Sequence, residues 1–266
     1  MADPVVVYIG GAARSGTSAL GLLLGAAPGV VWAGELRHLA RDLVEDRQCT
    51  CGARASACPV WSEVGKRLGG PAGWRRARRR SALDRLAWGT DGSTVRAVAA
   101  VTGARIVIDS SKHGARPWGL VRDGLQVVLV QVVRSPERLA DRHARRRGAV
   151  SEQRAASPVG WMVRDLETGL RWRSLRASHP VVQVDWDALV ADRALLVDVC
   201  AAADIPAEPV LAAAEAGVRA EHVLTANRLR TGFLVLRPDP PPALPTRWRI
   251  AAGGAHFGRW VARGWR

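Results

Sequence analysis

Apolar residues fall along the chain in short runs that alternate with longer helical patterns, and each run closes on a polar or glycine-bearing end. Residues 5 to 9, VVVYI, form a β-branched run bounded by Gly10-Gly11, the pattern of a buried parallel strand. SALGLLLGAA then reads as a helix that stops before Pro28-Gly29. VVWAGEL gives a second short extended stretch leading to Glu35, and an arginine-rich helical region covers about residues 62 to 101. RIVIDSS (105–111) and QVVLVQVV (126–133) are two further strands, the latter ending in Arg134-Ser135-Pro136. A strongly basic helix follows from about Glu137 to Arg147, then the strand PVVQVDW (180–186) and a single helix over ALVADRALLVDVCAAA.

Strands alternating with helices predict an α/β fold: a single P-loop-like domain with a central, mostly parallel sheet flanked by helices. The proline cluster at Pro238 to Pro245 is too close to the end to divide the chain, so one domain is expected over residues 1–266. In such sheets ligands sit at the carboxyl ends of the strands, near the point where strand order reverses. The polar residues delivered there are the loop after Ile9, Asp109-Ser110-Ser111-Lys112, Arg134-Ser135 and Asp185.

Charge and composition modify this picture only slightly. The net charge is +15, and lysine appears only at Lys66 and Lys112, so arginine supplies nearly all the positive charge. Such a field suits a polyanionic small molecule, an acidic acceptor or nucleic acid equally. No apolar run is long enough to cross a bilayer, and the first residues lack the basic region and the small-residue cleavage pattern of an export signal. A cytoplasmic protein with no integral membrane segment is expected. Cys49, Cys51 and Cys58 cluster in CTCGARASACPVW, one ligand short of a closed zinc site. They could recruit a histidine such as His38, form one disulfide, or stay reduced, the state a protein without an export signal favours. The expectation is no metal.

GGAARSGTSAL carries glycines at 10, 11 and 16 and hydroxyls at 15, 17 and 18 between a strand and a helix. Backbone amides there can face an anion, and the helix start adds a favourable dipole. Against the Walker pattern G-x-x-x-x-G-K-[ST], Gly11, Gly16 and Ser18 fit, but Thr17 stands in the lysine position and the cation lies within the loop at Arg14. A kinase or nucleotide triphosphatase needs that lysine on the β/γ-phosphates. A plain helix-capping turn is the simpler alternative.

Here the chain resembles the sulfotransferases that use 3′-phosphoadenosine-5′-phosphosulfate (PAPS), in their bacterial and carbohydrate-type branch. AARSGTSAL is similar to the family's 5′-phosphosulfate loop, which implies that Arg14, Ser15, Gly16, Thr17 and Ser18 contact the donor. VVLVQVVRSPERLADRHARRR resembles the 3′-phosphate motif and implies that Arg134 pairs with the 3′-phosphate. The family's serine eight residues on is replaced by Arg142, leaving Arg142 or Ser135 as the second ligand. RIVIDSSKH resembles the stretch bearing the active-site lysine, VVQVDWDALVADR the strand and helix start written V-x-Y-E-D-L with Trp186 for tyrosine. EHVLTANRLRTG resembles the late H-x-x-x-G-N-x-x-R segment, whose arginine, Arg230, would close over the donor. The Cys-x-Cys-Gly…Cys-Pro-x-Trp loop also recurs in this branch.

The resemblance implies in-line sulfuryl transfer to a hydroxyl, carried by positioned cations and amides with no metal required. Lys112, with Arg14 alongside, would stabilise the leaving oxygen. Glu35 is the first choice for general base and His113, next to Lys112, the alternative. Asp109 and Asp185 suit the orienting of loops or capping of helices better. The expected partner is a small-molecule, glycan or secondary-metabolite acceptor, not nucleic acid. An ATP-using kinase-like transferase and a nucleic-acid-binding protein are the competing readings. The missing Walker lysine argues against the first, and the lack of a reading motif, with one Tyr and two Phe for stacking, against the second.

Overall fold

The computed structural model describes residues 2–75, 92–139, 168, 172–224 and 233–237. Strands β1 (Val5–Gly11), β2 (Val30–Trp32), β3 (Ile106–Asp109), β4 (Val127–Val133) and β5 (Val181–Asp185) form one sheet in the order β2-β3-β1-β4-β5. Every pair in it is parallel. The helices are α1 (Thr17–Leu24), α2 (Leu39–Val44), α3 (Pro59–Arg67), α4 (Gly92–Thr102), α5 (Arg116–Arg122), α6 (Trp186–Ala191), α7 (Leu195–Ala202) and α8 (Ala207–Ala216). A separate antiparallel pair joins β6 (Val218–Arg219) to β7 (Phe233–Leu234).

The period-2 alternation of the strands divides the core in two. Val7 and Ile9 of β1, Ile106 and Ile108 of β3, and Val128, Val130 and Val132 of β4 face one side, where Leu20 and Leu23 of α1, Leu189 of α6, Val199 of α7 and Val210 of α8 cover them. Val6 and Tyr8, Val107, and Val127 and Leu129 face the other, against Trp61 and Val64 of α3, Val95 and Val98 of α4, and Leu120 of α5. Because both faces are covered, the strands read as continuous apolar runs rather than as half-polar ones. Burying one such side chain fully contributes about 1.5–3 kcal/mol, so the sheet is the rigid part on which the polar loops stand.

β1 lies between β3 and β4, and the chain goes to the β3 side first and crosses to β4 later. The order therefore reverses between β1 and β4, and the loops leaving these two strands open a crevice at their carboxyl ends.

Four local differences separate the fold from the pattern. The helix expected over 188–203 is broken into α6 and α7, because Asp192 adopts an extended backbone and its Oδ1 accepts from the Ala194 amide, ending one helix and starting the next. The region from 62 begins earlier, at Pro59, where proline in the first turn costs no hydrogen bond. α8 is an alanine-rich helix without a strong apolar stripe. β6 and β7, two residues each, are too short to leave a period. No described helix is long and apolar enough to cross a membrane.

Candidate active site

The loop after β1 turns sharply into α1. Arg14 sits in the left-handed region at φ 76°, and Gly16, at φ 113°, is the residue before the helix. Glycine is needed at 16 for a second reason: a Cβ there would lie 2.2 Å from the Trp186 ring, which packs directly on the loop. α1 has no side-chain cap and no acidic residue in its first turn. Its first intrahelical bond runs from the Leu20 amide to the Gly16 carbonyl, at 2.9 Å. The amides ahead of it have no i−4 carbonyl to bond, the usual condition of a helix start. Ser15 and Ser18 are 0% and 4% exposed, and neither hydroxyl has a hydrogen-bond partner among the described residues. An unpaired buried hydroxyl costs about 1–3 kcal/mol, which the acceptor oxygens of an anion would remove. The residues predicted to hold a phosphosulfate thus provide unused donors at a helix start.

Arg134, at the end of β4, is 1% exposed. Its Nη1 donates to the Arg14 carbonyl at 3.3 Å, and its Nε lies 3.3 Å from Asp187 Oδ1. Asp187 also accepts from the Ser135 amide and faces Arg138. Arg134 therefore ties the carboxyl ends of β1 and β4 to the start of α6 across the switch point. Ser135 Oγ accepts from the Arg138 amide, so its lone pairs cap the next helical turn. Asp185 caps α6 through the Asp187 and Ala188 amides, in the expected role. Asp187 is the residue that the sequence reading missed; its signal was a second aspartate within the first turn of a helix already capped by Asp185.

The stretch after β3 is a dense network around Glu35. Asp109, fully buried, accepts from the Leu36 amide at 3.3 Å, from the Ser111 amide and hydroxyl, and from Arg116 Nε. The Ser110 amide and hydroxyl both donate to the Gly34 carbonyl, while its oxygen accepts from Trp32 Nε1. Ser111 Oγ accepts from the Arg37 amide at 3.1 Å. Consecutive residues of Asp-Ser-Ser thus hold Gly34, Leu36 and Arg37, the neighbours of Glu35 on both sides. Lys112 then turns into the left-handed region at φ 60°, at a cost of about 1–2 kcal/mol for a non-glycine residue. Its Nζ meets Glu35 Oε1 at 2.6 Å. The structure therefore brings the two predicted groups together.

Glu35 Oε2 also faces Arg37 Nη2 at 3.2 Å and His38 Nε2 at 3.7 Å. Burial works to raise the Glu35 pKa, but the Lys112 ammonium, helped by Arg37 and His38, outweighs it and holds the carboxyl below its ordinary value. Burial, reinforced by the guanidinium groups of Arg37 and Arg41, pushes the His38 pKa down to about 4. Near neutral pH, His38 is thus an uncharged imidazole beside a carboxylate. It lies here rather than at the cysteine cluster. His113 is fixed by its backbone, whose amide donates to Tyr8 Oη and whose carbonyl accepts from it. Arg142 and Arg230 lie outside the described residues.

No protein-family profile matches the chain, and no curated protein does. Among solved structures it is similar to the sulfotransferase domain from the Synechococcus PCC 7002 olefin synthase, with 16% identity, coverage of 96% of this chain and 95% of that one, and a TM-score of 0.51. It is equally similar to the sulfotransferase domain from the curacin biosynthetic pathway, with 16% identity, coverage of 95% and 98%, and a TM-score of 0.51. At that identity the likeness shows a shared fold: an α/β domain around a parallel sheet.

Proposed function

We propose that the protein transfers a sulfuryl group from PAPS to a hydroxyl of a small-molecule, glycan or secondary-metabolite acceptor. One observation carries this reading. Four neighbouring strands, β2, β3, β1 and β4, deliver Glu35, its partner Lys112, the hydroxyls of Ser15 and Ser18, unpaired among the described residues, and the buried Arg134 to the same edge of the sheet. Two sulfotransferase domains that share the fold raise the weight of this chemistry over others the fold can host. We further take residues 1–266 as one domain, in line with the near-complete coverage of both likenesses, and the protein as cytoplasmic.

Bound PAPS supplies an electrophilic sulfur and a phosphate leaving group. Ser15, Thr17, Ser18 and the amides of the helix start hold its 5′ end, with Arg14 at the loop rim. Arg134 supports the 3′ end; Arg142 and Arg230 would complete it. Lys112 stabilises the charge that develops on the departing oxygen. Glu35 takes the proton of the acceptor hydroxyl, and His113 is the second candidate. The ion pair bears on this division of labour. While Lys112 sits on Glu35 the carboxylate is a weak base, and a Lys112 that turns to the donor's oxygen releases it to become a stronger one.

Titration with adenosine 3′,5′-bisphosphate in the absence of magnesium should raise the melting temperature, with ATP and magnesium giving little shift. A larger shift from ATP with magnesium would favour a kinase-like transferase instead. Glu35→Gln should lower turnover by roughly 10²-fold or more with bisphosphate affinity nearly intact. Full activity in Glu35→Gln, with none in His113→Ala, moves the base to His113.

A further inference from the structure

Away from the transfer site, the cysteine loop and the segment after β6 meet at one point. Cys49, Cys51, Cys58 and His222 bring their ligand atoms within 4.8 Å of one another. Cys49 Sγ and Cys58 Sγ are 3.6 Å apart, and His222 Nδ1 lies 3.3 Å from Cys58 Sγ and 4.0 Å from Cys49 Sγ. A tetrahedral centre with Zn–S about 2.3 Å and Zn–N about 2.0–2.1 Å has S···S edges of about 3.8 Å and S···N edges of about 3.5 Å. The 3.6 Å and 3.3 Å separations lie close to those edges, and the 4.0 Å one is somewhat longer. They are far too long for an S–S bond of about 2.05 Å. From the sequence the fourth ligand was open; the fold supplies it from residue 222.

The surroundings hold this arrangement without help from a metal. Between Cys49 and Cys51, Thr50 clasps both neighbours of His222: its Oγ1 donates to the Glu221 carbonyl at 2.7 Å and accepts from the Val223 amide at 2.9 Å. The Thr50 amide donates to the Val223 carbonyl, and Trp61 Nε1 donates to the His222 carbonyl at 3.2 Å. Gly52, at φ 92°, closes the turn, with its amide on the Cys49 carbonyl. Cys58 is the residue before α3, so its thiolate would also face a helix start. Cys49 and Cys58 are buried while Cys51 is exposed, which leaves a path for the ion.

We propose that Cys49, Cys51, Cys58 and His222 form a structural zinc site. Three thiolates and one imidazole select zinc over hard cations such as magnesium or calcium. Four protein ligands leave no open position, so the ion acts as a clasp and not as a Lewis acid. It joins the cysteine loop to the segment after β6, two parts of the chain far apart in sequence. The site does not depend on the transfer reading, since every ligand lies outside the residues assigned to donor and acceptor.

The test uses the full chain, purified under reducing conditions. Metal analysis after gel filtration should find one zinc per chain. Replacing zinc by Co(II) should give the strong thiolate-to-cobalt charge-transfer bands and the intense visible bands of a tetrahedral site. Cys58→Ser and His222→Ala should weaken zinc binding by more than the roughly 10–100-fold typical of losing a mere supporting residue. His222→Cys should keep the ion with a shifted cobalt spectrum, and Cys200→Ser and His38→Ala should leave it unchanged. Wild-type protein that is fully reduced yet gives no tetrahedral cobalt spectrum would overturn the proposal. So would recovery of a Cys49–Cys58 disulfide in place of the metal, or retention of zinc by His38 instead of His222. The cobalt spectrum of the wild type decides even if a variant fails to fold.

Discussion

In the loop after β1, two serine hydroxyls are buried with no partner among the described residues, whereas after the neighbouring strand β3 the polar side chains of Asp109, Ser110 and Ser111 all have partners. Both stretches are short, polar and placed at the carboxyl edge of the same sheet. The difference is what each is arranged for. A surface that binds a charged ligand must keep donors unspent, at a cost in the free protein. A surface that positions a catalytic side chain must leave it no alternative conformation, and it does so by bonding the backbone on both sides of it. Glu35 is fixed through Gly34, Leu36 and Arg37, its neighbours in the chain.

The most severe way to break this contrast is at Asp109. It is 0% exposed and pairs with Arg116, itself 6% exposed. Asp109→Ala removes the acceptor for Leu36, Ser111 and Arg116 and takes the Asp109 carboxylate away from a buried guanidinium. The expected loss of stability is about 3–5 kcal/mol by urea denaturation. A loss below about 1 kcal/mol would mean that water reaches Arg116 and the network is looser than described.

A milder pair of substitutions sharpens it. Ser111→Ala deletes a hydroxyl that accepts from Arg37 and donates to Asp109, and should cost the free protein about 1–3 kcal/mol. Ser18→Ala deletes a hydroxyl with no partner among the described residues and should leave the free protein unchanged or slightly more stable. In the presence of adenosine 3′,5′-bisphosphate the order should invert: Ser18→Ala loses affinity by about tenfold, the scale of one charge-assisted hydrogen bond, and Ser111→Ala very little. Equal losses of stability from the two would show that Ser18 has a structural bond after all.

Much of this edge was legible in the sequence, and the reason is local. A strand ending in a polar cluster places its next residues at the carboxyl edge whatever else the chain does, so Ser15, Lys112 and Arg134 could be assigned a neighbourhood from their own segments. Contacts between segments could not be read in the same way. That Glu35 lies 2.6 Å from Lys112 depends on β2 pairing with β3, which three residues of apolar sequence do not reveal. That His222, not His38, completes the cysteine cluster depends on Thr50 binding both sides of residue 222. The helix break at Asp192 was missed because the apolar spacing continues through it, and only the aspartate's capping bond interrupts the backbone.

The smallest effect expected is a pH dependence confined to the densely bonded end. His38 has its pKa lowered to about 4, first by burial and then by Arg37 and Arg41, against an unfolded value of about 6.5. Between those two values the unfolded chain binds the proton and the folded one does not, so stability rises with pH across that window. The contribution is complete above about pH 6.5 and is lost as the pH falls toward 4. Glu35, held below its ordinary value chiefly by Lys112 against burial, acts with the same sign but only below the usual carboxylate range. His38→Gln should therefore flatten the stability profile between pH 4 and 6.5, by on the order of 1 kcal/mol given the imidazole's partial exposure. Glu35→Gln should leave that interval largely as it was. An unaltered profile in His38→Gln, measured by urea midpoints across the interval, would mean that His38 protonates freely in the folded state, which requires the turn from Leu36 to His38 to open toward solvent while Asp109 and Ser111 keep their hold on its first two amides.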